Sequence, residues 1–155
     1  MTTTFNPDEK IILLVEDQPD DEKLTVRALR KSNLANVIEV ARDGQEALDF
    51  LFAHDKYSHR ADMPLPTLII LDLKLPKVDG LGVLKALRDN PRTKTIPVVV
   101  MTSSKEEQDI VSSYELGANS YVRKPVDFAE FIEAARMLGV YWLILNQPPV
   151  PGRQP

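Results

Sequence analysis

Short, unbroken apolar runs alternate along this chain with stretches in which apolar residues recur every three or four positions. Ile11 to Val15, Leu68 to Leu71 and Ile96 to Met101 are rich in branched aliphatics, the pattern of strands buried on both faces, as in a parallel sheet. Val37 to Ala41 and Ser120 to Arg123 are shorter and read as strands because of their β-branched and aromatic content. Between the strands the period changes. Gln18-Pro19-Asp20-Asp21 opens a helix, with proline in the first turn and acids favoured by the helix dipole; Leu24, Ala28 and Leu29, with Val26 partly turned in, give it an inner face to about Ser32. Ala47, Leu48, Leu51 and Phe52 define a second helix from Gln45 to about Ala53, and Leu81, Leu84 and Leu87 a third that stops near Asn90-Pro91. A fourth is predicted from Ser104 to about Leu116, ended by Gly117. Asp127 caps a fifth, with Phe128, Phe131, Ile132, Ala135 and Leu138 facing inward.

The fifth helix continues through Tyr141-Trp142-Leu143-Ile144-Leu145, apolar almost all round, before Pro148-Pro149 ends it. A helix of ~20 residues is ~30 Å long, more than a small sheet needs for cover. The excess apolar end is therefore expected to meet something else, either a second copy of the chain or the polar connection from His54 to Pro66. That connection shows neither period. Its two histidines, His54 and His59, lack the convergent partners that an imidazole metal site needs.

Strands and helices alternate five times in this reading, which predicts an α/β sandwich around a mainly parallel sheet with right-handed crossovers. One domain is expected over residues 10–146, with a loose arm at 1–9 and a proline-rich tail at 147–155. A formal charge of -4 without a basic stripe argues against a nucleic-acid surface. The absence of cysteine excludes disulfides and thiolate metal sites. No apolar run approaches a membrane span and the amino terminus lacks signal-peptide features, so the expectation is a soluble, cytoplasmic protein.

Chemistry concentrates where strands stop. The first strand ends at Glu16-Asp17, the third at Asp72, the fourth at Thr102-Ser103 and the fifth at Lys124-Pro125. Parallel strands gather their carboxyl ends along one edge, where open α/β sheets bind ligands. Three crowded carboxylates repel one another unless a cation sits among them, and Mg2+ is the natural candidate, a hard ion that takes oxygen ligands. Asp20 and Asp21 read as helix-start acids rather than ligands.

In order along the chain, Glu16-Asp17, Asp72, Leu75-Pro76, Asp79-Gly80, Thr102 and Lys124-Pro125 resemble the receiver domain of two-component response regulators. The resemblance covers about residues 10 to 146. It implies a doubly wound, five-stranded parallel sheet in the order 2-1-3-4-5 with five helices. By the same resemblance Asp17 and Asp72 bind Mg2+ directly, Glu16 binds it through water, and the backbone carbonyl of Lys74 completes the protein's share. Asp72 then accepts a phosphoryl group from a histidine of a partner kinase, Thr102 donates to one phosphoryl oxygen and Lys124 pairs with another. The chain would be a signalling protein that catalyses only its own phosphorylation and dephosphorylation. Tyr121 would act with Thr102 as a switch on the face formed by the fourth helix, fifth strand and fifth helix.

Lys74 and Ser104 occupy positions that tune hydrolysis in such domains, so the phosphoryl lifetime stays open. The long connection before the third strand and the Tyr141-Trp142-Leu143 ending resemble a subgroup of stand-alone receivers paired with bacterial phytochrome kinases. A homodimer through Tyr141, Trp142 and Leu145 is expected. Two other functions use related parts. A haloacid-dehalogenase-type phosphatase also forms an aspartyl phosphate, but with an Asp-x-Asp arrangement after the first strand, where this chain has Glu16-Asp17. A flavodoxin-like cofactor binder needs a hydroxyl- and glycine-rich phosphate loop there, and the acids of Gln18-Pro19-Asp20-Asp21 would repel phosphate.

Overall fold

The computed structural model describes residues 10–31, 37–147 and 149; the expected arm at 1–9 and most of the expected tail lie outside them. Five strands, β1 (Ile11–Val15), β2 (Val37–Ala41), β3 (Leu68–Leu71), β4 (Val98–Thr102) and β5 (Ser120–Arg123), form one sheet in the order β2-β1-β3-β4-β5. Every pairing is parallel, so each connection crosses over, and the crossovers carry α1 (Pro19–Lys31), α2 (Gly44–Phe52), α3 (Gly80–Asp89) and α4 (Glu107–Glu115) before α5 (Phe128–Val140) closes the domain.

Strand side chains alternate between the two faces, and two cores result. Ile12, Leu14, Leu68, Ile70, Val99 and Met101 pack with Leu29 of α1 and Phe131 of α5. On the other face Leu13, Val15, Ile69, Leu71, Val98 and Val100 meet α2 and α3 through Ala47, Leu51, Val83, Leu84 and Leu87. The central strands are buried on both sides, which explains why they read as continuous apolar runs.

Several local expectations are corrected. The connection before β3 holds a 3-10 turn, Asp55–Arg60. Its Tyr57 meets Phe50 edge to face at 5.3 Å, and the Arg60 guanidinium lies 3.7 Å from the same ring. Polar and aromatic side chains thus give this segment a fold that apolar periodicity cannot reveal, and its 3-10 turn packs on α2. β4 begins at Val98 rather than Ile96. α4 begins at Glu107 rather than Ser104, because the Ser104 side chain is engaged with Asp109 at 2.5 Å in the preceding loop. In α5, Phe128 is 57% exposed while Phe131, Ala135 and Gly139 face inward.

The end of α5 passes into a π-helical turn, Tyr141–Leu145, closed by Asn146 N–H donating to the Tyr141 carbonyl at 2.7 Å. Trp142 and Leu143 are buried in the α1/α5 core, so Trp142, expected at an interface between copies, belongs to the domain interior. Lys10, just before β1, donates to the Leu143 carbonyl and ties this turn to the start of the sheet. Tyr141, Ile144 and Leu145 remain exposed. No described helix is long and apolar enough to cross a membrane.

Candidate functional site

The register of the three central strands assembles the site. Val15 lies level with Leu71, and Leu71 level with Val100, so Glu16 and Asp72, each the next residue, emerge together at the carboxyl edge. The seam continues past the strands: Asp72 N–H donates to the Val15 carbonyl at 3.0 Å and Glu16 N–H to the Ala41 carbonyl at 2.9 Å. Thr102 ends β4, and its carbonyl accepts from Lys124 N–H at 2.7 Å, which fixes where the chain leaves β5.

Asp79 and Gly80 complete the support below Asp72. The Asp79 side chain caps α3 by accepting from Gly82 N–H at 2.8 Å. Gly80 N–H donates to the Leu73 carbonyl at 2.8 Å. A Cβ on Gly80 would come within 2.3 Å of the Asp72 carbonyl oxygen and 2.6 Å of Leu73 Cα. Only glycine lets α3 approach the strand end this closely.

Lys124 is the hub. Its Nζ donates to Glu16 Oε1 at 2.5 Å, Asp72 Oδ2 at 2.8 Å and Asp21 Oδ2 at 2.9 Å. The remaining oxygen of Asp72, Oδ1, accepts from Leu73 N–H at 2.7 Å. Burial alone would raise the pKa of Asp72, but the hydrogen bond and charge of Lys124, helped by the Thr102 hydroxyl, hold it below the usual carboxylate range. Burial has the upper hand at Glu16, which is pushed up to about 7 with the nearby Asp72 charge adding to the effect and Lys124 opposing it. For Lys124, burial is outweighed by Asp21, Asp72 and Glu16, which keep the ammonium charged above its ordinary range.

Glu16, Asp17 and Asp72 each offer an oxygen within 4.8 Å of the others. Asp17 Oδ1 is buried without a hydrogen-bond partner, a costly state for a carboxylate oxygen unless something else binds it. Three carboxylates pair with one ammonium and Asp17 stands beside two of them, so acids outnumber the cation at this site. An all-oxygen donor set with a partnerless carboxylate suits a hard divalent cation.

The site opens to a cleft of about 400 Å³ bordered by Asp17, Asp21, Asp72, Lys74, Thr102 and Lys124, among others. The positions expected from the sequence, Glu16, Asp17, Asp72, Lys74, Thr102 and Lys124, are thus brought together, Glu16 through its bond to Lys124. Tyr121 stands behind them, its hydroxyl donating to the Ser104 carbonyl at 3.0 Å. Tyr141, Trp142 and Leu145 lie elsewhere, at the opposite end of the sheet. Asp21 was not anticipated: an acid in the first turn of α1 satisfies the dipole rule by itself, and nothing local points to a lysine 103 positions away.

Residues 12–136 match the response regulator receiver domain family. Response regulator Rcp1 of Synechocystis sp. (strain ATCC 27184 / PCC 6803 / Kazusa) is 39% identical over 143 residues, 92% of this chain and 95% of that protein. A crystal structure of the Mn2+-bound form of Rcp1 superposes with a TM-score of 0.84 at 38% identity, covering 90% of this chain and 99% of that one. The phosphorylated cyanobacterial phytochrome response regulator RcpA gives a TM-score of 0.85 at 36% identity, covering 91% and 99%. The bacteriophytochrome response regulator AtBRR is 52% identical with a TM-score of 0.71, covering 91% and 100%. The family match favours neither the phosphatase nor the flavodoxin-like reading. By family, sheet order and strand-end chemistry together, the chain belongs to the response regulator receiver domains of two-component signalling.

Proposed function

We propose that this receiver takes a phosphoryl group onto Asp72 from a phosphohistidine of a sensor histidine kinase. The bond from phosphorus to the imidazole nitrogen breaks as a bond from phosphorus to an Asp72 carboxylate oxygen forms, and the imidazole leaves with the electron pair. Such transfers need positioning and charge neutralisation more than covalent assistance. Asp72 is kept ionised as the nucleophile by Lys124, and Thr102 and Lys124 flank the space into which phosphoryl oxygens would come. Glu16, Asp17, Asp72 and the Lys74 carbonyl would hold Mg2+, which when bound supplies positive charge to the phosphoryl oxygens. The observation that carries the reading is a buried carboxylate lining an open cleft, 2.8 Å from an ammonium and beside a partnerless acidic oxygen.

The likeness to RcpA and AtBRR supports a kinase of the phytochrome kind as the partner. Thr102 and Tyr121 would carry the phosphoryl state to the α4, β5 and α5 face, and the exposed stripe at the end of α5 would pair two copies. Intact-mass measurement after acetyl phosphate and Mg2+ tests the central step. One added phosphoryl group is expected, absent with chelator and absent in Asp72→Asn. Unchanged labelling of Asp72→Asn would remove Asp72 as the acceptor.

A further inference from the structure

We infer that Asp21 is a positioning residue for the phosphoryl transfer, holding the Lys124 ammonium over the cleft through all stages of the reaction. The inference rests on the reading of Asp72 as phosphoacceptor. An ammonium has three N–H donors, and all three are engaged here, by Glu16, Asp21 and Asp72. Two of these acceptors change during the reaction. The Asp72 carboxylate loses its own charge when one of its oxygens is phosphorylated to the acyl phosphate. Glu16 belongs to the acidic cluster suited to a cation, so its charge is shared once a cation binds. Asp21 is outside that cluster and is not the acceptor, so its pull on Lys124 is the same before and after transfer.

Its placement fits this task. Asp21 stands in the first turn of α1, fixed there by the Thr25 hydroxyl donating to its backbone carbonyl at 2.9 Å. Its carboxylate is turned across the chain to Lys124 at 2.9 Å and borders the cleft, with 27% of the side chain exposed. When Asp72 becomes the acyl phosphate, the donor released from it can turn to a phosphoryl oxygen while Asp21 keeps the nitrogen from swinging into solvent. Pairing with Asp21 also holds a charged side chain in one geometry before substrate arrives, which lowers the ordering cost of the transition state.

A double-mutant cycle on the full chain separates this role from a structural one, with the rate of Asp72 labelling by acetyl phosphate at saturating Mg2+ as the readout. Asp21→Ala is expected to slow labelling by about fivefold, and in a Lys124→Ala background to change the rate by less than about 1.5-fold, because the interaction it removes is already gone. Asp21→Asn keeps an acceptor oxygen in the same shape, folds as the parent does, and should fall between the parent and Asp21→Ala. Equal slowing by Asp21→Ala in both backgrounds would overturn the inference, as would an Asp21→Asn rate no better than that of Asp21→Ala. Failure of the underlying reading looks different: the parent takes no phosphoryl group, or Asp72→Asn still does, and Asp21's role falls with it.

Discussion

Glu16 and Asp72 share one ammonium yet are driven in opposite directions, Glu16 up to about 7 by burial and Asp72 below its ordinary range by Lys124. For Glu16 the linkage has a definite sign. Its folded pKa lies above its ordinary value of 4.5, so between these values the folded protein holds a proton that the unfolded chain has released. The stability this contributes is present in full below about 4.5 and is lost as pH rises through about 7. A divalent cation at the acidic cluster favours the carboxylate and expels the proton. In chelator the melting temperature is therefore expected to fall as pH rises across that window, and Glu16→Gln should flatten the fall. With Mg2+ present the parent should flatten as well. Parallel slopes for parent and Glu16→Gln in chelator would remove Glu16 as the titrating group. At this scale Glu16, Asp17, Asp72 and Thr102 were legible because they end or follow apolar runs of strand length, and Lys124 because the β-branched and aromatic residues before it suit a strand. Asp21 was not, since its partner is supplied by tertiary structure and its local role was already accounted for.

The elements nearest the site differ in how firmly they are held. β4 is wholly buried, whereas the described side chains of α4 bury only Ser113, and weakly buried segments shift at low cost. The loop between them converges on Ser104. Its N–H lies 3.4 Å from Thr102 Oγ1, its carbonyl accepts from Tyr121, and its hydroxyl reaches Asp109 of α4. A phosphoryl group that draws the Thr102 hydroxyl inward would release the Ser104 N–H, loosen the Tyr121 bond and alter the packing of α4 and β5, a shift between two arrangements. Hydrogen exchange over α4 and β5 is expected to change on phosphorylation of the parent and to change much less in Thr102→Ala that still accepts the phosphoryl group. An identical change in both would break the proposed coupling. The start of α4 was misread for a related reason: Ser104 looks like the first residue of a helix, but its hydroxyl serves a loop that also answers to β4 and β5. Phe128 was misread because the fifth helix is apolar on more than one side, so period alone could not say which phenylalanine turns inward. Phe131 does.

Across the whole molecule, the excess length of the fifth helix was legible and its division between inside and outside was not. Trp142 and Leu143 reach back to the α1/α5 core, while Met137, Tyr141, Ile144 and Leu145 are 59%, 49%, 54% and 64% exposed. The exposed four recur at spacings of four, three and one along the helix, which sets them on one stripe. An apolar stripe with an aromatic member has the composition of a protein interface, which supports the proposed pairing of copies. Two substitutions a few residues apart should therefore act on different equilibria. Trp142→Ala removes a core side chain and is expected to cost about 3–5 kcal/mol in urea unfolding. Tyr141→Ala with Leu145→Ala leaves the core intact, should unfold near the parent's midpoint, and should weaken self-association by about tenfold or more. Sedimentation of the parent at high micromolar concentration, with and without acetyl phosphate, supplies the reference. A parent that sediments as a monomer in both conditions would rule out pairing through this stripe, and an unchanged dimer in the double variant would move the interface to another face.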